Sequence, residues 1–409
     1  MNPSHPQNNA SGNFLWEWIP TGEFSLPSGT LQTTFKTRLK SFLRHRTSSE
    51  NTDELLKPES LEFLSTYMLD RLVPPVDLKI QAESLDPALM PWCEGHHKQF
   101  ILILNLPHSG NGEILKYWAG EHGFRIIDPP SASVLLSSDD AWFAQFDTHD
   151  PCWVLPGLEK CWLRHEAGLS LIRKFFRRLF SGMLGFGVVG CGSWAWSFFS
   201  HALSVSAPLS LVARPFDSEK LKTWLGALAL EKNRRPVRFR QADNGRLVLS
   251  APSTETADEE NKTDQGRFLK DLAAFCYGIP GVALAYWRSS LQAEPDGLDL
   301  EKGEAQADAG RPTVWVKPWM NVEKSGLPEK MERNHAFILH SLLLHDTLDM
   351  DTLSKLLPLR QHNFGQTMYD LSDNGLIESL EDQWRVSAQG YPVVRRFLKT
   401  EGFLSDDFK

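Results

Sequence analysis

Residues 100–121 read FILILNLPHSGNGEILKYWAGE, and this stretch sets the fold. Phe100–Leu106 is apolar apart from Asn105, the pattern of a strand covered on both faces. Pro107-His108-Ser109-Gly110-Asn111-Gly112 follows as a turn, because proline and glycine punctuate regular structure. A helix is expected from Glu113 to Glu121. Outward from here the rhythm repeats. FRIID (124–128), CWVLPGLE (152–159), FGVVGC (186–191) and LSLVARPF (209–216) read as further strands. Helices are expected over 168–180, with Ile172, Phe175, Phe176 and Leu179 on one face, and over 218–230. Alternating strands and helices predict an α/β fold with a parallel sheet clothed by helices.

The turn lies where a phosphate would be cradled, after a buried strand and at a helix N-terminus. Such a turn needs glycines for close backbone approach, a lysine for the β/γ charge and a Ser/Thr hydroxyl for magnesium. Gly110 and Gly112 provide the backbone, beside Ser109 and Asn111, but Glu113 and Ile114 stand in the lysine and hydroxyl positions. WVLPGLE carries Pro156 where a magnesium-holding Asp would follow the strand, with Glu159 three residues on. Ser193 closes the strand FGVVGC at the place of a γ-phosphate sensor. The candidate nucleotide-binding residues are therefore Ser109, Gly110, Asn111, Gly112, Glu159 and Ser193. No catalytic residue is assigned, and no cofactor is expected beyond ATP bound without hydrolysis. Glu159 as a first-turn acid and Ser193 as a helix N-cap are the structural alternatives.

The order strand, SGNG turn, helix, WVLPGLE, basic helix, FGVVGCGS and LSLVARPFDSEKLKTWL resembles P-loop ATPases of the AAA+ and STAND type, including the origin-recognition-like branch. LAAFCYGIPGVALAYW (272–287) is similar to their lid segment around a Gly-x-Pro turn. The resemblance covers roughly residues 99 to 290. It implies a nucleotide-driven conformational switch, from which this chain departs at both phosphate-binding motifs.

Toward the C-terminus, helices are expected at about 333–345, 350–357 and 361–374, then strands around 377–380 and 384–387 and a helix over 391–399, which is a winged helix-turn-helix. LSDNGLIESLEDQWRVSAQGYPVVRRFL (371–398) resembles the recognition helix, wing and following helix of MarR-like regulators. Gln361, His362, Asn363 and Gln366 are its candidate base readers. Residues 333–409 hold eight Lys/Arg against eleven Asp/Glu, a net charge of −3 that favours packing or protein contact over DNA. The basic surface lies elsewhere, at Arg234, Arg235, Arg238 and Arg240, on and before a hairpin turning at Asp243-Asn244-Gly245.

The boundaries read as a disordered tail at 1–13, an N-terminal region of unclear role at 14–98, the ATPase-like core at 99–230, a hairpin and lid-like segment with acidic loops at 231–332, and the winged helix at 333–409. A net charge of −8 argues against a uniformly basic nucleic-acid binder. Five scattered cysteines indicate neither a disulfide scaffold nor a zinc knuckle, and the polar N-terminus is unlike a signal peptide, so a reducing cytoplasm is expected. Residues 179–213 contain no Asp, Glu, Lys or Arg, but glycines and serines break the run, which predicts a buried strand and helix rather than a membrane span. The letters GFGVVG occupy a strand rather than the turn after one, which excludes a dinucleotide fingerprint. His335, His340 and His345 do not share a helix face, which disfavours a metal site. The expected function is that of a noncatalytic regulator or scaffold that binds a protein partner or itself. The alternatives are a MarR-like DNA-binding regulator and an ATPase with atypical residues.

Overall fold

A computed structural model describes residues 15–27, 61–75, 77–94, 100–137, 140–146, 152–207, 209–231, 237–249, 262–294, 312–357 and 361–407. In chain order its strands are β1 (Trp18–Pro20), β2 (Glu62–Phe63), β3 (Ile101–Asn105), β4 (Arg125–Ile126), β5 (Trp153–Leu155), β6 (Gly187–Gly192), β7 (Ser210–Ala213), β8 (Arg238–Gln241), β9 (Leu247–Leu249), β10 (Leu291–Ala293), β11 (Thr313–Val316), β12 (Leu348–Asp349), β13 (Ile377–Leu380) and β14 (Gln383–Val386).

The chain is mixed α/β, and its main sheet runs β1-β7-β3-β6-β5-β4. All neighbours are parallel except β1, which lies antiparallel along β7. The continuous apolar runs have the cause anticipated for them: every residue of β3 is buried, and so is every residue of β6 but the last. On one face Ile101, Ile103, Val154 and Val188 meet Ile114, Leu115 and Trp118 of the helix Asn111–Glu121. On the other, Leu102, Leu104, Leu155 and Val189 meet Trp194, Ala195 and Phe199 of the helix Ser193–Ala202, together with Ile172 and Phe175 of the helix Ser170–Phe180. The glycines of β6 answer to close packing. A Cβ on Gly187 would sit 2.3 Å from the Trp153 ring, and one on Gly190 would sit 2.3 Å from the Pro156 carbonyl oxygen.

A second sheet runs β2-β10-β11-β8-β9, parallel only between β8 and β11. The helices Lys262–Phe275 and Pro280–Ser290 flank the Gly-Ile-Pro turn, which places Pro280 at the start of the second. The C-terminal residues form helices Arg333–His345, Met350–Leu356 and Gln361–Asp373, a small sheet β12-β14-β13 and a last helix, Tyr391–Thr400.

The segment 14–98, whose role the sequence left unclear, contributes β1 to the main sheet and β2 to the second. Glu62–Phe63 is followed by a helix over Thr66–Leu72, where the Ser65 hydroxyl accepts from the Met68 N–H. The tail at 1–13 lies outside the described residues. The uncharged stretch becomes β6, a helix and β7, and no described helix is long and apolar enough to cross a membrane.

Val188 is fully buried in a central strand between β3 and β5. Val188→Asp would bury a carboxylate with no partner, at a cost of several kcal/mol. We expect the variant to be lost from the soluble fraction of a cell lysate, and recovery of folded soluble variant would contradict this sheet.

Candidate functional site

The helix after β3 and the helix after β6 pack on opposite faces of the sheet, so a crevice opens between the carboxyl ends of these adjacent strands. In an open α/β sheet this switch point is where ligands bind. Here it is a cleft of about 580 Å³. Ser109, Gly110, Gly112, Glu159 and Ser193, all named from the sequence, line it together with Asn105. The far wall comes from the C-terminal module, through Leu343, Asp346, Gln383 and Arg385.

Ser109, Glu159 and Ser193 are each already engaged within the chain. Ser109 Oγ donates to the Leu106 carbonyl at 2.6 Å and closes the turn on itself. Gly110 has φ +76°, a left-handed conformation suited to glycine, and precedes Asn111, the first helical residue, whose side chain lies outside the description. Glu113, in the first turn, is held by Lys116 at 2.9 Å and offsets the positive end of the helix that an anion would otherwise meet.

Glu159 sits in the single turn after β5 and is only 6% exposed. Its Oε2 accepts the Gly192 backbone N–H at 2.8 Å, stapling the turn after β5 to the end of β6. Gly157 leaves it room, since a Cβ there would lie 2.8 Å from Glu159 Oε1. Burial first, and the nearby Asp346 carboxylate second, push its pKa up to about 7. Burial also raises Asp346.

Ser193 opens the helix after β6 and is 1% exposed, with Oγ 3.4 Å from Asp406 Oδ2. Asp406 also accepts from Tyr391 Oη at 2.8 Å and Arg395 Nε at 2.7 Å. Trp194 Nε1 donates to Tyr391 Oη at 3.4 Å, and Arg395 lies over the Tyr277 ring at 4.5 Å. These contacts bind the C-terminal tail and last helix to the core.

A second set of contacts joins the helix Arg333–His345 to the segment after β5. The Arg164 backbone N–H donates to His345 Nε2 at 3.3 Å, and His345 Nδ1 donates to the Glu159 carbonyl at 3.3 Å. Arg164 Nη1 donates to His340 Nδ1 at 3.1 Å. Each ring must accept a hydrogen bond and is therefore neutral. Accordingly burial, and secondarily the Arg164 charge, lower both pKa values to about 4. His335 instead caps its own helix, accepting from the Glu332 N–H at 3.0 Å. Among the described residues no group of three or more His, Cys, Asp or Glu side chains is placed to hold a metal.

Arg238, Arg240, Asn363 and Gln366, the remaining candidates with described side chains, do not line the cleft. Arg238 is exposed on β8 and Arg240 Nη1 donates to the Gly245 carbonyl at 2.9 Å, while Arg234 and Arg235 lie outside the described residues. Gln361 and His362 begin the helix Gln361–Asp373, but their side chains are outside the description; Asn363 is exposed, and Gln366 Nε2 donates to Asp370 at 2.7 Å. Sequence reasoning missed Arg164, Tyr391, Arg395 and Asp406. The histidines inside an otherwise apolar helix were a signal for Arg164 alone.

No family model matches the chain, and no curated protein matches it. Among solved structures, a chain from the structure of Drosophila ORC bound to DNA aligns over 88% of this chain and 100% of its own, at 11% identity and a TM-score of 0.35. At that identity and score the likeness carries neither fold nor function across.

The histidines make stability depend on pH. Below 6.5 the unfolded chain takes up protons that buried His340 and His345 refuse, so their contribution is complete above 6.5 and is lost as the pH falls toward 4, by up to about 3 kcal/mol for each ring. His108, also lowered to about 4, acts in the same sense. Glu159 and Asp346 act oppositely, since in the fold they keep protons that the unfolded chain releases. Three rings against two carboxyls leave a net loss in acid. We expect a lower urea midpoint at pH 5 than at pH 7.5, with the difference at least halved in His340→Gln/His345→Gln. An equal or higher midpoint at pH 5 in the wild type would contradict this assignment.

Proposed function

We propose that this chain is a noncatalytic regulatory or scaffold protein, in which a degenerate P-loop ATPase-like core is capped at its switch point by its own winged helix. The observation that carries this reading is the engagement of Glu159 and Ser193. In a working ATPase those positions would face the nucleotide and its metal. Here one carboxylate accepts the Gly192 N–H and the other position's hydroxyl faces Asp406. Glu113 adds a carboxylate to the turn, where a triphosphate needs a cation.

On this reading residues 333–407 are the winged helix, with β13 and β14 as the wing. Its recognition helix, Gln361–Asp373, contains no Lys or Arg, and the wing turns at Glu381-Asp382. Phosphate contact requires cations around the reading helix, so the module suits protein contact, with a partner or a second copy, better than DNA. Arg238 and Arg240 offer the alternative basic surface.

Two measurements test the proposal. Purified protein should show no magnesium-dependent ATP hydrolysis above background, even if ATP binds; turnover abolished by Gly112→Asp would overturn the noncatalytic reading. Binding to duplex DNA should be weak and fall steeply with salt. Nanomolar, sequence-selective binding lost in Gln361→Ala/Asn363→Ala would favour the MarR-like regulator instead.

A further inference from the structure

All five cysteines are free, but they are not equivalent. Cys161, Cys191 and Cys276 are buried in the core, and burial pushes their thiols well up. Such thiols react slowly, because the thiolate is the nucleophile. Cys93 and Cys152 lie 59 residues apart in the chain, yet their sulfurs are 3.7 Å from each other. Cys93 is half-buried in the last turn of the helix Asp86–Glu94. Cys152 immediately precedes β5, buried among Leu85, Leu89 and Val154 on the face of the sheet opposite the helix Ser193–Ala202.

We propose that Cys93 and Cys152 form a hydroperoxide-sensitive thiol pair that closes to an intramolecular disulfide. The roles follow from position. Cys93 is the accessible member, and the thiol hydrogen bond from Cys152 lowers its pKa while raising that of Cys152. The Cys93 thiolate attacks one peroxide oxygen, the O–O bond breaks, and Cys93 becomes a sulfenic acid as the departing hydroxide takes a proton to leave as water. Cys152 then attacks the sulfenic sulfur, its thiol proton leaving with the hydroxyl as a second water. Two thiols are oxidised by two electrons and one peroxide is reduced. The sulfurs, 3.7 Å apart, need close only to a bond length of about 2.05 Å. The product would tie the helix Asp86–Glu94 to the entrance of β5, and a dithiol would reopen it by exchange.

The test uses the full chain and hydrogen peroxide. After treatment and denaturation, the alkylatable thiols should fall from five to three, dithiothreitol should restore five, and peptide mapping should join Cys93 to Cys152 within one chain. Cys152→Ser should leave a sulfenic acid on Cys93 that dimedone traps. Cys93→Ser should slow thiol loss by about tenfold or more. Five thiols surviving in the wild type, a Cys93 sulfinic acid without disulfide, or a disulfide joining two chains would each overturn the proposal.

Discussion

Asp406 is the contact on which the joining of the C-terminal module to the core depends. Its side chain is 2% exposed and that of Arg395 9%, and the two meet at 2.7 Å. Taking both charges out of water costs several kcal/mol, so the pair persists only if further hydrogen bonds complete it. Tyr391 and Ser193 supply them, and Ser193 belongs to the core. Completing the ion pair therefore requires the last helix and the helix after β6 to be together. Removing one charge would strand the other in the interior, at about 3–5 kcal/mol, so the arrangement favours a fixed assembly over a loosely tethered arm.

The same economy shapes the cleft. A helix N-terminus and a switch point between parallel strands predispose this place to bind an anion. The chain fills that capacity with its own groups. Glu113 answers the helix end, Glu159 takes the Gly192 amide, and neutral His345 bridges Glu159 to Arg164. These groups leave a nucleotide less to gain here, which supports the proposed scaffold reading, although the buried Asn105 Oδ1 on the cleft wall has no hydrogen-bond partner.

The central strands were legible because burial on both faces writes itself as unbroken apolar runs, as in FILILNL and FGVVGC. The helix Ser170–Phe180 was legible because its apolar stripe has a clear period. Three of the shortest strands were not. Trp18–Pro20, Glu62–Phe63 and Leu291–Ala293 have two or three residues each, too few to establish alternation, and their pairing is decided by distant partners. The turn residues of the site could be named from local spacing. Asp406 and His345 could not, since Ser193 and Asp406 are 213 residues apart and Arg164 and His345 181, and no local pattern records such a pairing. Glu159 and Ser193 were found for their positions in the strand order, while the bonds they make depend on those distant partners.

The central claim is that the C-terminal module and the core form one cooperative unit joined through Asp406. Native-state hydrogen exchange, comparing wild type with Asp406→Ala, tests it directly. In the wild type, the amides of Arg333–His345 and Tyr391–Thr400 should exchange as slowly as those of β3 and β6, and in the variant they should exchange faster while β3 stays protected. Exchange of the C-terminal helices that is already fast and independent of β3 in the wild type, or unchanged by Asp406→Ala, would contradict the account.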